Sequence, residues 1–187
     1  MVVFDGQGSR KYLNENERKA YFKATQQETD KSLKAFGLTL FFTGCRISEA
    51  LNSTVGRVDL SQKCFVFETL KRRQRGLFRA VPIPDGLAEL LSELLVGKTP
   101  SACIWQFSRA TAYRAVKDCM LRAGIRGVMA SPKGLRHGFA VACVAKSIPL
   151  PTIQKWLGHA RIETTAIYLS VSGDEERTLA KRLWTNG

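Results

Sequence analysis

Histidine is the scarcest of the chemistry-bearing residues: the 187-residue chain holds two, His137 and His159. That shortage argues against a histidine-based metal centre. Cysteine is odd in number and scattered, at Cys45, Cys64, Cys103, Cys119 and Cys143. None stands in a C-x-x-C pair, so neither a zinc-ligand spacing nor a disulfide framework is present. The thiols read as reduced and mostly buried, which suits a cytoplasmic protein. No apolar run reaches the roughly 18 residues of a membrane-spanning helix, and the N-terminus lacks the charged-then-apolar order of a secretory signal. Acidic residues are also in short supply: 16 Asp and Glu face 29 Lys and Arg, a formal net charge of +13. That imbalance implies a polyanionic partner, nucleic acid ahead of an anionic membrane surface. A basic surface kept only for solubility is the plainer alternative, weakened because basic residues recur inside the motifs below.

What is present is a chain that can bury a core. Hydrophobic residues make up 44% of it, and its length fits one domain. Residues 1–13 read as a flexible leader and 14–187 as a single domain. Asn14, with Glu17 at the capping-box position, starts a helix over 15–26. Asp30 starts another that reaches Phe42, with Gly44 interrupting near its end, and a short helix follows at 47–51. KCFVFETL and LFRAVPIP are β-branched and aromatic and read as strands. The basic turn KRRQRG joins them, and Pro82 and Pro84 suit an edge strand or its end. Leucines at 87, 90, 91, 94 and 95 then mark a helical stripe. A further helix over 108–123 turns Tyr113, Val116 and Met120 inward. Pro132 opens a helix carrying Arg136, Pro151 opens one that ends at Gly158, and 164–170 holds Tyr168. A last amphipathic helix spans 174–184. The fold class is mainly α with a small antiparallel β-sheet.

Four residues in three of these segments suit chemistry on a phosphodiester. TGCRISEAL supplies Arg46, SPKGLRHGFA supplies Arg136, and LGHARIETTAIYL supplies His159 and Tyr168. An arginine fork gives paired N–H bonds to phosphate oxygens and stays charged. Two arginines and a histidine around one phosphorus stabilise the charge that develops there. A tyrosine can attack the phosphorus and form a covalent phosphotyrosine, provided a base or a cationic field lowers its ordinary pKa near 10. A lysine on the basic turn can protonate the departing sugar oxygen. Singly, each has a plainer reading: a solvated arginine, a packed tyrosine, a histidine at a helix end. Their combination and spacing outweigh those readings.

This ordered set resembles the tyrosine recombinases, or phage integrases, over about residues 30–172. The most specific element is LGH followed nine residues later by tyrosine. The resemblance implies a tyrosine recombinase catalytic-domain fold, with Arg46 and Arg136 as the two catalytic arginines and His159 as a scissile-phosphate ligand. It implies Tyr168 as the nucleophile of a 3′-phosphotyrosyl link and Lys71 as the general acid, with its register in the turn left open. Arg72, Arg73 and Arg75 are then phosphate contacts or a solvated basic loop. The family usually has His-x-x-Arg where this chain has Lys133-Gly-Leu-Arg136. An ammonium has no lone pair to accept a proton, so Lys133 is expected to act electrostatically. His137 is expected to support the site structurally.

The resemblance also implies a partner and a reaction. Double-stranded DNA would be cut and rejoined in site-specific recombination: integration, excision, inversion or resolution. A homo-tetramer on two sites would exchange segment 174–184 between protomers, with no metal, no nucleotide and no membrane. Roughly thirty residues precede the first matching helix, so the chain reads as the catalytic domain without the clamp domain of larger members. DNA binding is then expected to be weak and steeply salt-dependent, supplemented by other subunits or an accessory DNA-binding protein, at a nucleoid-associated location. The rival readings are a type IB topoisomerase-like relaxation activity and a non-catalytic DNA-binding regulator.

Overall fold

The computed structural model describes residues 3–69, 76–170 and 180–181. Its helices in chain order are α1 (Glu15–Gln26), α2 (Lys31–Thr43), α3 (Ile47–Leu51), α4 (Asp85–Leu95), α5 (Arg109–Arg122), α6 (Pro132–Ala145), α7 (Leu150–Leu157) and α8 (Glu163–Ala166). Between α3 and α4 lies an antiparallel sheet of β1 (Val58–Asp59), β2 (Cys64–Glu68) and β3 (Phe78–Pro82), in that spatial order. The expectation of a mainly helical fold with one small sheet holds. The sheet gains a third strand that two residues, Val58 and Asp59, are too few to announce. No helix among the described residues is long and apolar enough to cross a membrane.

Local chemistry sets most helix ends. Asn14 accepts from the Glu17 N–H at 2.9 Å, and Glu17 accepts from the Asn14 N–H at 3.0 Å. This reciprocal pair satisfies two donors that the first turn of α1 leaves free. Asp30 caps Ser32 and Leu33 at the start of α2. Gly44 ends α2 with φ +59°, where an added Cβ would lie 2.4 Å from the Phe139 ring. Only glycine both adopts the left-handed conformation there and lets α6 come this close. That turn fixes where the chain emerges, two residues before Arg46. At α6, Ser131 accepts from the Gly134 N–H and Pro132 takes the first helical position, where its missing N–H costs nothing.

In the sheet, β2 and β3 pair from Cys64 opposite Pro82 to Glu68 opposite Phe78. A further bond, Thr69 N–H to Leu77 O at 2.9 Å, carries the ladder toward the hairpin turn. Lys71, Arg72, Arg73 and Arg75 lie outside the described residues, as does nearly all of the expected C-terminal helix 174–184. Side chains alternate across β3 so that Arg79 and Val81 point inward while Phe78 faces solvent. The main core joins α1, α2, α4 and α5 to the inner face of the sheet. A second cluster, including Phe139, Ile153, Leu157 and Tyr168, lies between α6, α7 and the 167–170 turn.

Two expectations need correction. Residues 3–13 are not a loose leader. Phe4 bridges Arg10, Val3, Tyr12 and Leu13 are buried, and the Leu13 N–H donates to Gly134 O at 3.4 Å. Gly138 on α6 leaves the room, since a Cβ there would stand 2.8 Å from Leu13 O. The burial of Val3, Tyr12 and Leu13 outweighs the polar composition of the intervening residues. Tyr113 does not face inward either. It is 45% exposed, and Ala112 and Val116 form the buried side of α5 instead.

Candidate active site

A carboxylate that the motif reading passed over organises the site. Glu49 is fully buried one turn into α3. Its Oε2 accepts from the Arg46 backbone N–H at 2.8 Å, and its Oε1 accepts from the Arg46 guanidinium at 2.7 Å. Arg79 donates to Oε2 at 2.6 Å, and an Arg136 guanidinium nitrogen lies 3.9 Å away. Burial acts to raise the Glu49 pKa. Arg79, the Arg46 N–H and the Arg46 guanidinium more than offset it and hold the carboxyl below its usual range. Arg46 is therefore the N-cap of α3, not a residue within it, and its side chain is turned by its own cap partner.

Arg136 is 6% exposed, and its guanidinium links two chain segments. One terminal nitrogen donates to Gly44 O at 2.9 Å and the other to Leu157 O at 2.7 Å. A guanidinium has five N–H donors, so these two bonds among the described residues leave three for a ligand. Burial, with Arg46 second, pushes its pKa down to about 10, which leaves it charged at neutral pH. Arg79 braces the same region: Nε donates to Trp156 O at 2.8 Å and a terminal nitrogen to Thr69 Oγ1 at 3.2 Å. Gly158, at φ +65°, gives it room, since a Cβ there would sit 2.9 Å from that terminal nitrogen. One arginine thus ties the base of the hairpin to α3 and to the end of α7. Strand alternation is the sequence signal that could have marked Arg79 as inward-facing.

The last part of the site lies around the 167–170 turn. Tyr168 is 0% exposed, and its Oη lies 2.7 Å from His137 Nδ1. The His159 ring stacks on the Tyr168 ring at 6.5 Å and 13°, and His159 Nδ1 lies 2.9 Å from Thr165 Oγ1. Burial pushes the Tyr168 pKa up to about 12, against the pull of Arg136 and Arg46. The phenol thus stands in the field of both guanidiniums yet out of contact with solvent. Lys133 is not gathered in with them. It is exposed on the first turn of α6, one helical turn before His137. Among the described residues, no group of three His, Cys, Asp or Glu side chains is placed to hold a metal.

Both imidazoles are buried and neutral. Burial, followed by Lys133, Arg136 and Lys11, pushes His137 down to about 4, while burial, Arg136, Arg46, His137 and Arg79 push His159 to about 3. The unfolded chain binds these protons near pH 6.5 and the folded chain does not, so stability is full above that pH and falls as pH drops toward 4. We expect the midpoint of urea unfolding to drop between pH 7 and pH 4.5, with a loss on the order of 3 kcal/mol. An unchanged midpoint in H137Q/H159Q over that interval identifies the two rings as the source.

The phage integrase family matches residues 11–175 of this chain. The tyrosine recombinase XerD of Neisseria meningitidis serogroup A is 33% identical over 148 residues, covering 74% of this chain and 50% of that one. The crystal structure of XerA recombinase is 26% identical with a TM-score of 0.78, over 91% of this chain and 64% of that one. XerH recombinase bound to palindromic difH substrate, in a post-cleavage complex, is 25% identical with a TM-score of 0.72, over 93% of this chain and 53% of that one. The chain spans about half to three-fifths of the length of the sequence relatives it matches.

Proposed function

This chain belongs to the phage integrase family, and we propose that it is a tyrosine recombinase that cuts and rejoins duplex DNA at specific sites through a 3′-phosphotyrosyl intermediate. One run of contacts carries the reading. Arg46 shares Glu49 with Arg79, Arg136 reaches the carbonyls of Gly44 and Leu157, and two residues beyond Leu157 the His159 ring lies on Tyr168. The four residues singled out from sequence therefore belong to one connected cluster.

In this mechanism Arg46 and Arg136 hold the non-bridging oxygens of the scissile phosphate. Their charge is already in place before the reaction, so it favours the more negative transition state without reorganisation. The mechanism takes the Thr165 hydroxyl as the donor to His159 Nδ1, which puts the ring proton on Nε2. That nitrogen is buried with no hydrogen-bond partner among the described residues, a free donor for a third phosphate oxygen. Tyr168 Oη attacks the phosphorus, and the 5′-oxygen leaves with a proton from Lys71. The bond energy of the phosphodiester stays in the tyrosyl link, so rejoining needs no nucleotide or metal. A phenol with no exposed surface meets a phosphate only after the chain around it opens. Lys133 acts from the rim as a charge that attracts the DNA backbone. Arg72, Arg73 and Arg75 are phosphate contacts. The working assembly is a homo-tetramer on two DNA sites, with segment 174–184 exchanged between protomers and an accessory DNA-binding protein in support.

The test is covalent trapping. A duplex nicked beside the cleavage position loses its 5′-hydroxyl fragment and cannot be resealed. Incubation should yield a denaturation-resistant protein–DNA adduct whose peptide map places the DNA on Tyr168. An adduct on another residue, or none on any candidate site, refutes the reading. Strand exchange between two sites, as against relaxation of a one-site plasmid, separates recombinase from topoisomerase.

A further inference from the structure

We infer that His137 is the proton acceptor for the Tyr168 nucleophile, its Nδ1 taking the phenol hydrogen as Oη bonds to phosphorus. The inference rests on the cleavage reaction proposed above and assigns the one proton which that reaction leaves without a destination.

The contact itself is direct: Oη and Nδ1 lie 2.7 Å apart with both residues buried. Acidity orders the two groups. Among the described residues, Tyr168 Oη has this hydrogen bond and His137 Nε2 has none, so either tautomer leaves one donor and one acceptor unpaired. A phenol O–H is a stronger acid than a neutral imidazole N–H, and an imidazole nitrogen is a stronger base than a phenol oxygen. The phenol is therefore the donor and Nδ1 presents its lone pair to the nucleophile.

The other basic groups nearby do not serve. His159 Nδ1 is engaged with Thr165. Lys133, at the position where the family usually has a histidine, is exposed on the first turn of α6, and its ammonium lacks a lone pair. His137 follows Arg136 directly, so α6 turns the guanidinium toward Gly44 and Leu157 and the imidazole toward the 167–170 turn. Burial, followed by the positive charge of Lys133, Arg136 and Lys11, keeps the ring neutral at rest.

The step balances. The Oη–P bond forms and the P–O5′ bond breaks, its electron pair leaving on the 5′-oxygen, which takes a proton from Lys71. The phenol proton ends on His137 Nδ1. Rejoining reverses each transfer, and Nδ1 returns its proton to Oη. A free phenol is far too weak an acid to protonate this imidazole in advance. The proton therefore moves as bonding to phosphorus drains charge from Oη, and the imidazolium forms beside a phosphorane that has gained negative charge.

The experiment begins without DNA. Because the chain has two histidines, ring-15N-labelled protein gives two imidazole spin systems, with H159Q assigning them. We expect His137 as the Nε2–H tautomer with a hydrogen-bonded Nδ1, and a changed Nδ1 shift in Tyr168→Phe. An Nδ1–H tautomer, or no response to Tyr168→Phe, overturns the assignment. In single-turnover cleavage of the nicked duplex, His137→Gln should be slower by about a hundredfold at pH 7 with duplex affinity unchanged, because its amide oxygen accepts the hydrogen bond but not the proton. The deficit should shrink as pH rises toward ionisation of the phenol itself. An unchanged rate, or a faster one, overturns the proposal. Where His137→Gln does not fold, the wild-type tautomer decides. If wild type forms no adduct, the cleavage reading fails whatever the tautomer; if it forms one from the Nδ1–H tautomer, only the role of His137 fails.

Discussion

Arg136→Ala slows single-turnover cleavage by about 10²–10³-fold, while affinity for duplex DNA changes by no more than about tenfold. The asymmetry follows from where the side chain lies. Its guanidinium is buried and uses two donors on the carbonyls of Gly44 and Leu157, so it adds little to the outer surface that first meets DNA. In the proposed reaction its remaining donors bind the phosphate, where extra charge appears in the transition state. Alanine also leaves two buried carbonyls unpaired, at about 1–3 kcal/mol each, so rates must be read below the unfolding transition. Arg136→Lys separates the two effects. It keeps the charge but not the planar fork that spans both carbonyls, and it should recover affinity and only part of the rate. Equal losses of binding and cleavage in Arg136→Ala would make this residue a DNA contact and nothing more.

Glu49→Leu destabilises the fold by about 3–5 kcal/mol, the cost of stranding buried charge. The carboxylate sits among three guanidiniums, and Arg79 is buried with it. Without it, Arg46, Arg79 and Arg136 repel one another with no counter-charge. Cleavage should collapse with stability, because Arg46 loses both the cap and the side-chain bond that aim it. The double variant Glu49→Leu/Arg79→Leu removes one stranded charge together with its partner and should regain part of the lost stability. Denaturant midpoints over the four-member cycle measure this coupling. Additive losses would mean that Glu49 and Arg79 do not act as a pair.

The candidate site was legible to different depths. Arg46, Arg136, His159 and Tyr168 were named from motif spacing, and all four fall in the one connected cluster. Glu49 stood in plain view three residues after Arg46, but an acidic residue there reads as a helix cap, and it is one. Its second task, as counter-ion to Arg79, depends on the Arg79 side chain of β3 reaching α3. Lys133 was expected to act electrostatically, and its side chain is exposed on the first turn of α6. Residues 3–13 looked loose because their apolar residues are few and non-periodic. What holds their end is α6, where Gly138 leaves room for Leu13 and the Gly134 carbonyl accepts from its N–H.

The sequence by itself determined where the helices begin and end. Caps such as Asn14 with Glu17, Asp30 and Ser131 are bonds between residues at most four apart, and left-handed glycines close α2 and α7. It also determined the inventory of reactive groups. Only the tertiary structure decided which groups touch. Glu49 meets Arg79 across 30 positions, and His137 meets Tyr168 across 31. A hydrogen bond over such a separation comes from the packing of whole elements, and no local pattern encodes it.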